Sequence, residues 1–184
     1  IARGKLIYGD SGGDPAVLTV GSANQVLLSN GTDISWSSLF GKQTIWIPAN
    51  AMKPKTTGGC ADMVTVETTP GPDMHVLDFV SSADKYALFQ IAFPKSWNLG
   101  TITYQVFWSG IAATTGVCWR LSGVAIGDNE DIGVSYGNGT DIQDDAQGAV
   151  EELLVTAESG AVTIAGTPAD DNLCYFQINR EVAD

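Results

Sequence analysis

The first forty residues constrain the fold more than any other stretch, because they turn every few residues and never gather length for a self-standing sheet. They read Gly4-Lys5-Leu6-Ile7-Tyr8-Gly9-Asp10, then Ala16-Val17-Leu18-Thr19-Val20-Gly21, then Asn24-Gln25-Val26-Leu27-Leu28-Ser29-Asn30-Gly31-Thr32, and finally Ile34-Ser35-Trp36. Each piece is a short β-prone run closed by Gly, Asp or Asn. Isolated strand pairs of this length are marginal in water. Their apolar side chains need cover from elsewhere, most economically from further copies of the same segment. The residues expected to meet sister copies are Leu6, Tyr8, Leu18, Val20, Val26, Leu28, Trp36 and Leu39.

Residues 4–39 resemble a recurring segment of bacteriophage fibre proteins, of the form G-D-L-L-Y-G, A-L-x-V-G, G-Q-V-L-x-S-N-G-x-x-P-x-W. Asn24 and Ser35 stand where Gly and Pro are commoner. The resemblance implies a homotrimeric stalk just ahead of a globular head. Three later stretches are similar to the terminal domains of marine phage fibre and spike proteins: Ala92-Phe93-Pro94-Lys95-Ser96-Trp97-Asn98-Leu99-Gly100, Gly123-Val124-Ala125-Ile126-Gly127-Asp128-Asn129-Glu130 and Leu153-Leu154-Val155-Thr156-Ala157-Glu158-Ser159. This second resemblance spans most of residues 45–182 and implies a place on a virion, at tail or capsid, without implying an activity. In those proteins a final Leu-Gly-(Ile/Val)-Lys-(Leu/Phe)-Phe strand follows the region matching 180–184. Its absence implies that the chain is trimmed or that a neighbouring subunit supplies the last edge. The opening on Ile1 rather than Met leads us to expect an initiator, a longer N-terminal region or a processed piece outside the sequence.

We expect two regions, an extended stalk and trimerisation segment over 1–43 and a head over 44–184. In the head, β-prone runs arrive at steady intervals: 43–48, 74–79, 86–93, 101–108, 116–126, 153–156, 162–164 and 173–180. Several alternate strictly. Ile102, Tyr104, Val106 and Trp108 oppose Thr101, Thr103 and Gln105, and Cys174, Phe176 and Ile178 oppose Leu173, Tyr175, Gln177 and Asn179. Period-two patterning of this kind marks half-buried antiparallel strands. The fold class expected is therefore all-β, with an antiparallel β-sandwich of jelly-roll type as the head. One helix is expected around Asp144–Leu154, where helix formers follow an Asp cap, against the weakening effect of Gly148.

Charge is placed unevenly. Residues 128–184 hold 13 acids and only Arg180 as a base, whereas residues 1–127 balance eight acids against eight bases. Such an acidic half repels phosphates and argues against nucleic acid as a partner. A solubilising surface is the plain reading. The sharper one is a divalent-cation site at Asp128-Asn129-Glu130-Asp131 or Asp141-Ile142-Gln143-Asp144-Asp145, whose oxygens suit Ca²⁺. Neither run fits an EF-hand loop, since Ile132 takes the place of an oxygen ligand, and no metal or cofactor is expected. Cys60, Cys118 and Cys174 are odd in number and far apart, which speaks against zinc or a disulfide framework and for buried thiols in a reducing cytoplasm. No apolar run reaches the roughly 20 residues that a membrane-spanning helix requires.

Catalytic motifs are thin. Gly9-Asp10-Ser11-Gly12-Gly13 copies the string around a serine-protease nucleophile, yet only ten residues precede Ser11 and the sole histidine, His75, follows it in another region. A turn between two strands explains the string better. His75, between Met74 and Val76, reads as an ordinary sheet position. Paired acids admit a glycosidase by inventory alone, but sequence cannot set two carboxylates across a cleft. We expect no enzyme. Trp97, in a polar loop beside Asn98, is a candidate for stacking on a sugar face, with Asp128 and Asn129 as polar companions; packing against a neighbouring strand or subunit is the competing reading. The expectation is thus a homotrimeric phage fibre or spike, assembled in the host cytoplasm, that displays a head for host-surface contact. The alternatives are a capsid decoration protein and a glycan-binding module.

Overall fold

Turn chemistry shapes the first part of the chain. In the computed structural model, which describes residues 2–22, 25–38, 42–111, 116–150 and 152–182, the chain divides into two units, Ile1–Ile45 and Trp46–Asp184. In the first, β1 (Leu6–Gly9) and β2 (Pro15–Leu18) form one antiparallel hairpin, and β3 (Gln25–Ser29) and β4 (Ile34–Ser38) form another. Asp10 closes the first loop: its carboxylate accepts from the Gly12 and Asp14 amides at 2.9 and 3.0 Å, and Gly13 takes a φ of 84°. Asn30 does the same for the second, accepting from the Thr32 and Asp33 amides at 2.9 and 2.8 Å. Side-chain oxygens that mimic a backbone turn are the reason for Asp and Asn here. The segment expected to run extended therefore folds back twice, because each Gly/Asp/Asn closure reverses the chain.

In the second unit β5 (Lys53–Pro54), β8 (Lys85–Ile91), β10 (Gly116–Ile126), β11 (Thr140–Asp145), β13 (Ile164–Ala165) and β14 (Leu173–Glu181) form a six-stranded sheet. Five of them run in the order β11-β10-β14-β8-β5, and the sixth, β13, lies beside β10. All pairings are antiparallel except β10 with β13. β10 is the spine, paired with β14 from Cys118 to Ile126 on one side, and with β11 and then β13 on the other. Two small antiparallel pairs complete the strands: β6 (Val64–Val66) with β7 (Met74–Val76), and β9 (Phe107–Trp108) with β12 (Leu154–Val155). The run 43–48 forms no ladder; Pro48 instead precedes a 3₁₀ turn over Ala49–Ala51.

The core lies on one face of the large sheet. Cys174, Phe176 and Ile178 are buried along β14, as their alternation predicts. Phe176 is fully buried, stacks on Phe89 at 5.2 Å and lies across from Gly123, where a Cβ would come within 2.6 Å of its ring. Residues 102–106 and 156–162 pack over this face and bond to each other, through Ile102 and Val162 by backbone and through the buried hydroxyls of Thr156 and Ser159. The Tyr104 hydroxyl, 2.8 Å from both the Trp119 and Thr140 carbonyl oxygens, ties this layer to β10 and β11.

The helix expected over 144–154 is absent among the described residues. Edge pairing with β10 draws residues 140–145 into β11 and buries Ile142, Gly148 has a φ of 119°, and β12 begins at Leu154. Tertiary pairing overrides the local helix signal. The three cysteine side chains are buried thiols, and burial raises the pKa of Cys60 and Cys174.

Candidate functional site

Strand register collects the candidate ligand residues at one end of the large sheet. Ile126 pairs with Leu173 and Ile91 with Cys174, so the loops after β8 and β10 and before β14 leave from the same end. Trp97 and Asn98 stand in the first loop, Asp128 and Asn129 in the second. Trp97 closes a turn by donating its amide to the Pro94 carbonyl at 2.9 Å. Its ring is half-buried, stacks on Phe93 at 4.3 Å and packs against the core, which covers one ring face. Its indole Nε1 is buried without a hydrogen-bond partner. Asn98 is exposed and accepts from the Gly100 amide at 3.0 Å, holding Leu99 at a φ of 60°.

Asp128 and Asn129 are exposed at a tight turn in which Asn129 has a φ of 59°, a conformation Asn tolerates better than most residues. Glu130 fixes the turn, its carboxylate accepting from the Gly127 amide at 2.7 Å. The 166–172 loop lies beside both. The Lys95 ammonium donates to the Asp170 carbonyl, and a Cβ on Gly127 would come within 2.9 Å of the Asn172 side chain. A shallow groove of about 260 Å³ runs here between Glu130, Asp131, Ser135 and Thr167, floored by Val124 and Ala125. Gly166 makes the groove possible, since a Cβ there would meet the Ala125 carbonyl at 2.5 Å. A second groove, about 360 Å³, lies between residues 137–140 and the chain around Ala161 and Thr163.

These loops carry Asp128, Glu130, Asp131, Asp170 and Asp171 against Lys95. The arrangement offers carboxylate and amide acceptors to hydroxyl-bearing ligands and repels anions. Elsewhere the acids have other duties. Asp141 accepts two bonds from Arg120, at 2.5 and 2.6 Å, Glu181 accepts a third at 2.6 Å, and Asp144 accepts from the Trp108 indole at 2.7 Å. No group of three or more His, Cys, Asp or Glu side chains is arranged to hold a metal among the described residues. Ser11 lies in the exposed β1–β2 loop, and His75, on β7, meets Thr65 across the hairpin at 3.1 Å.

In the first unit the candidate contact residues fall on different faces. Leu6 pairs with Leu18 and Tyr8 with Ala16, so these share one face of their hairpin, while Ile7 and Val17 pair on the reverse face and are 59% and 54% exposed. In the second hairpin Trp36 pairs with Leu27, whereas Val26 and Leu28 face the other way opposite Ser37 and Ser35. Trp36 also joins the two hairpins: its indole donates to the Thr19 carbonyl at 2.7 Å, and its ring leaves no space for a Cβ on Gly21. Val20 is 60% exposed. Leu39 lies outside the described residues. Sequence reasoning missed a patch on the second unit, where Trp46 meets Phe107 edge to face at 4.8 Å. The available signal was Phe107 itself, an aromatic on the Thr101–Thr103–Gln105 side of its strand.

No protein-family model matches the chain, and neither a curated protein nor a solved structure matches it. What stands without a comparison is the class: an all-β protein of antiparallel sheets with a six-stranded main sheet.

Proposed function

We propose that the chain is a bacteriophage virion structural protein, a homotrimeric fibre or spike whose first unit associates with sister copies and whose second unit is displayed for contact with the host surface. The observation that carries this reading is the lack of any buried residue among the described residues of the first unit. Leu6, Ile7, Val17, Val20, Leu27 and Leu28 are each at least 38% exposed. They are spread over opposite faces of the two hairpins, so the open apolar surface lies on several sides of the unit rather than in one patch. Covering such surface stabilises an assembly by about 25 cal/mol per Å² of apolar area removed from water. The layer of residues 102–106 and 156–162 over the large sheet supports reading the second unit as a β-sandwich of jelly-roll type. Three buried thiols fit assembly in a reducing cytoplasm.

Native mass spectrometry tests the proposal. A trimer of the 19.3 kDa chain is expected, and a monomer at all micromolar concentrations refutes it. A glycan-binding role has one observation in its favour, the gathering of Trp97, Asn98, Asp128 and Asn129 in loops at one end of the sheet. A glycan array probed with the assembled protein decides it: silence across host polysaccharides leaves the display role alone.

A further inference from the structure

The pentapeptide Asn-Gly-Thr-Asp-Ile occurs twice in the chain, at 30–34 and at 138–142. An Asn-Gly pair is open to a reaction within the backbone. The glycine nitrogen attacks the side-chain carbonyl carbon of the asparagine, ammonia leaves, and a five-membered imide forms. Water then opens the imide at either carbonyl and leaves aspartate or isoaspartate. Glycine permits the attack because no Cβ hinders its nitrogen and its backbone torsions are freest. The residues that follow each asparagine are the same, so the fold decides which pair reacts.

At 30–34 the fold restrains the reacting atoms. The Asn30 side-chain oxygen accepts from the Thr32 and Asp33 amides at 2.9 and 2.8 Å, and the Gly31 amide donates to the Ser29 hydroxyl at 3.1 Å. Turning the Asn30 carbonyl carbon toward the Gly31 nitrogen breaks these bonds.

At 138–142 the restraints have no counterpart. Asn138 is exposed, and neither its side chain nor the Gly139 amide has a hydrogen-bond partner among the described residues. The cause is a bulge. β10 and β11 pair Leu121 with Thr140, yet Gly137 donates to the Gly123 carbonyl at 3.1 Å, a place that regular pairing would give to Asn138. Asn138 and Gly139 therefore stand opposite Ser122 alone, and a bulge of this kind leaves its extra residue unpaired. Packing also holds position 139 to glycine. A Cβ there would run into the Arg120 side chain and come within 2.7 Å of the Ser122 hydroxyl.

We propose that Asn138 is a site of spontaneous modification, converting through the imide to aspartate and isoaspartate while Asn30 is spared. The change falls on a surface already described. Asn138 lines the second groove with Gly137, Thr140, Ala161 and Thr163, so conversion places a carboxylate there. Isoaspartate also adds a methylene to the backbone just ahead of β11.

The test incubates the whole chain at pH 8 and follows both asparagines by peptide mass spectrometry, with isoaspartyl methyltransferase labelling to mark isoaspartate. Each hydrogen bond that must open first slows a step about fivefold. Asn30 must open more than one, so conversion at Asn138 is expected to be at least about tenfold faster. In urea the two asparagines are expected to convert at one rate, because their folded surroundings are gone. Asn138→Gln lengthens the side chain so that the five-membered ring cannot close, and modification at 138 is expected to vanish. Equal rates in the folded protein, faster conversion at Asn30, or an Asn138 that stays intact overturns the inference. So does a difference between the two sites that persists in urea.

Discussion

Replacing Tyr104 by Phe removes one oxygen from the joint between the two layers of the second unit. That oxygen lies 2.8 Å from the carbonyls of Trp119 and Thr140 and carries a single proton to share between them. Losing a net hydrogen bond costs about 0.5–1.5 kcal/mol, and stranding a buried carbonyl adds about 1–3 kcal/mol. Trp119 is buried, so a total near 2 kcal/mol is expected in urea unfolding, with the slope unchanged because the same surface is exposed. The substitution also has a signature in pH. Burial, then the nearby Asp141 carboxylate, pushes the Tyr104 pKa well above its ordinary value near 10. Below pH ~10 both folded and unfolded chains keep the phenolic proton, and above it the unfolded tyrosine releases it first. Stability is therefore full below that pH and falls as pH rises. The loss from this one group reaches about 1.4 kcal/mol at pH 11. Tyr136, Cys60 and Cys174 are raised as well and add the same sign, so the difference between wild type and Tyr104→Phe isolates the term. The gap between the two proteins should shrink by about 1.4 kcal/mol from pH 8 to pH 11. A gap below about 0.5 kcal/mol at pH 8, or one that stays constant with pH, refutes the claim that this hydroxyl joins the layers.

Gly123→Val places a side chain where a Cβ alone meets the Phe176 ring at 2.6 Å; overpacking of this kind costs about 1–3 kcal/mol, read as a lower urea midpoint. Trp36→Phe removes the indole bond to the Thr19 carbonyl, and faster amide exchange is expected in both hairpins of the first unit, with β10 and β14 unchanged. Arg120→Met leaves Asp141 and Glu181 without their shared cation; Arg120 is 35% exposed, so the loss is held to about 1 kcal/mol, read as a lower urea midpoint.

Much of the second unit was legible because its strands alternate. The inward sets Ile102-Tyr104-Val106-Trp108 and Cys174-Phe176-Ile178 follow from period-two spacing alone, and the structure puts both against one core. The helix over 144–154 failed for an instructive reason. Local propensity there is helical, but β10 offers an unpaired edge, and Ile142 gains burial by joining it. Sequence carries no direct record of which edge is free. The apolar residues of the first unit are legible in the sequence but their faces are not, since register decides that Val26 and Leu28 point away from Trp36.

The candidate ligand loops show a different limit. Trp97, Asn98, Asp128 and Asn129 stand up to 32 residues apart in sequence, and they come to one end of the sheet because β8, β10 and β14 share a register. Their polar groups mostly shape the loops themselves: Asn98 holds Gly100, and Glu130 holds Gly127. Trp97 lends one ring face to Phe93. Among the described residues these loops border shallow grooves and offer few uncommitted polar anchors, so under the proposed role a single contact is expected to be weak. Weak contacts become useful when copies are held together, because linked binding events add their free energies through effective concentration. In the trimer proposed above, the assembly would supply the avidity that these loops lack in a single copy.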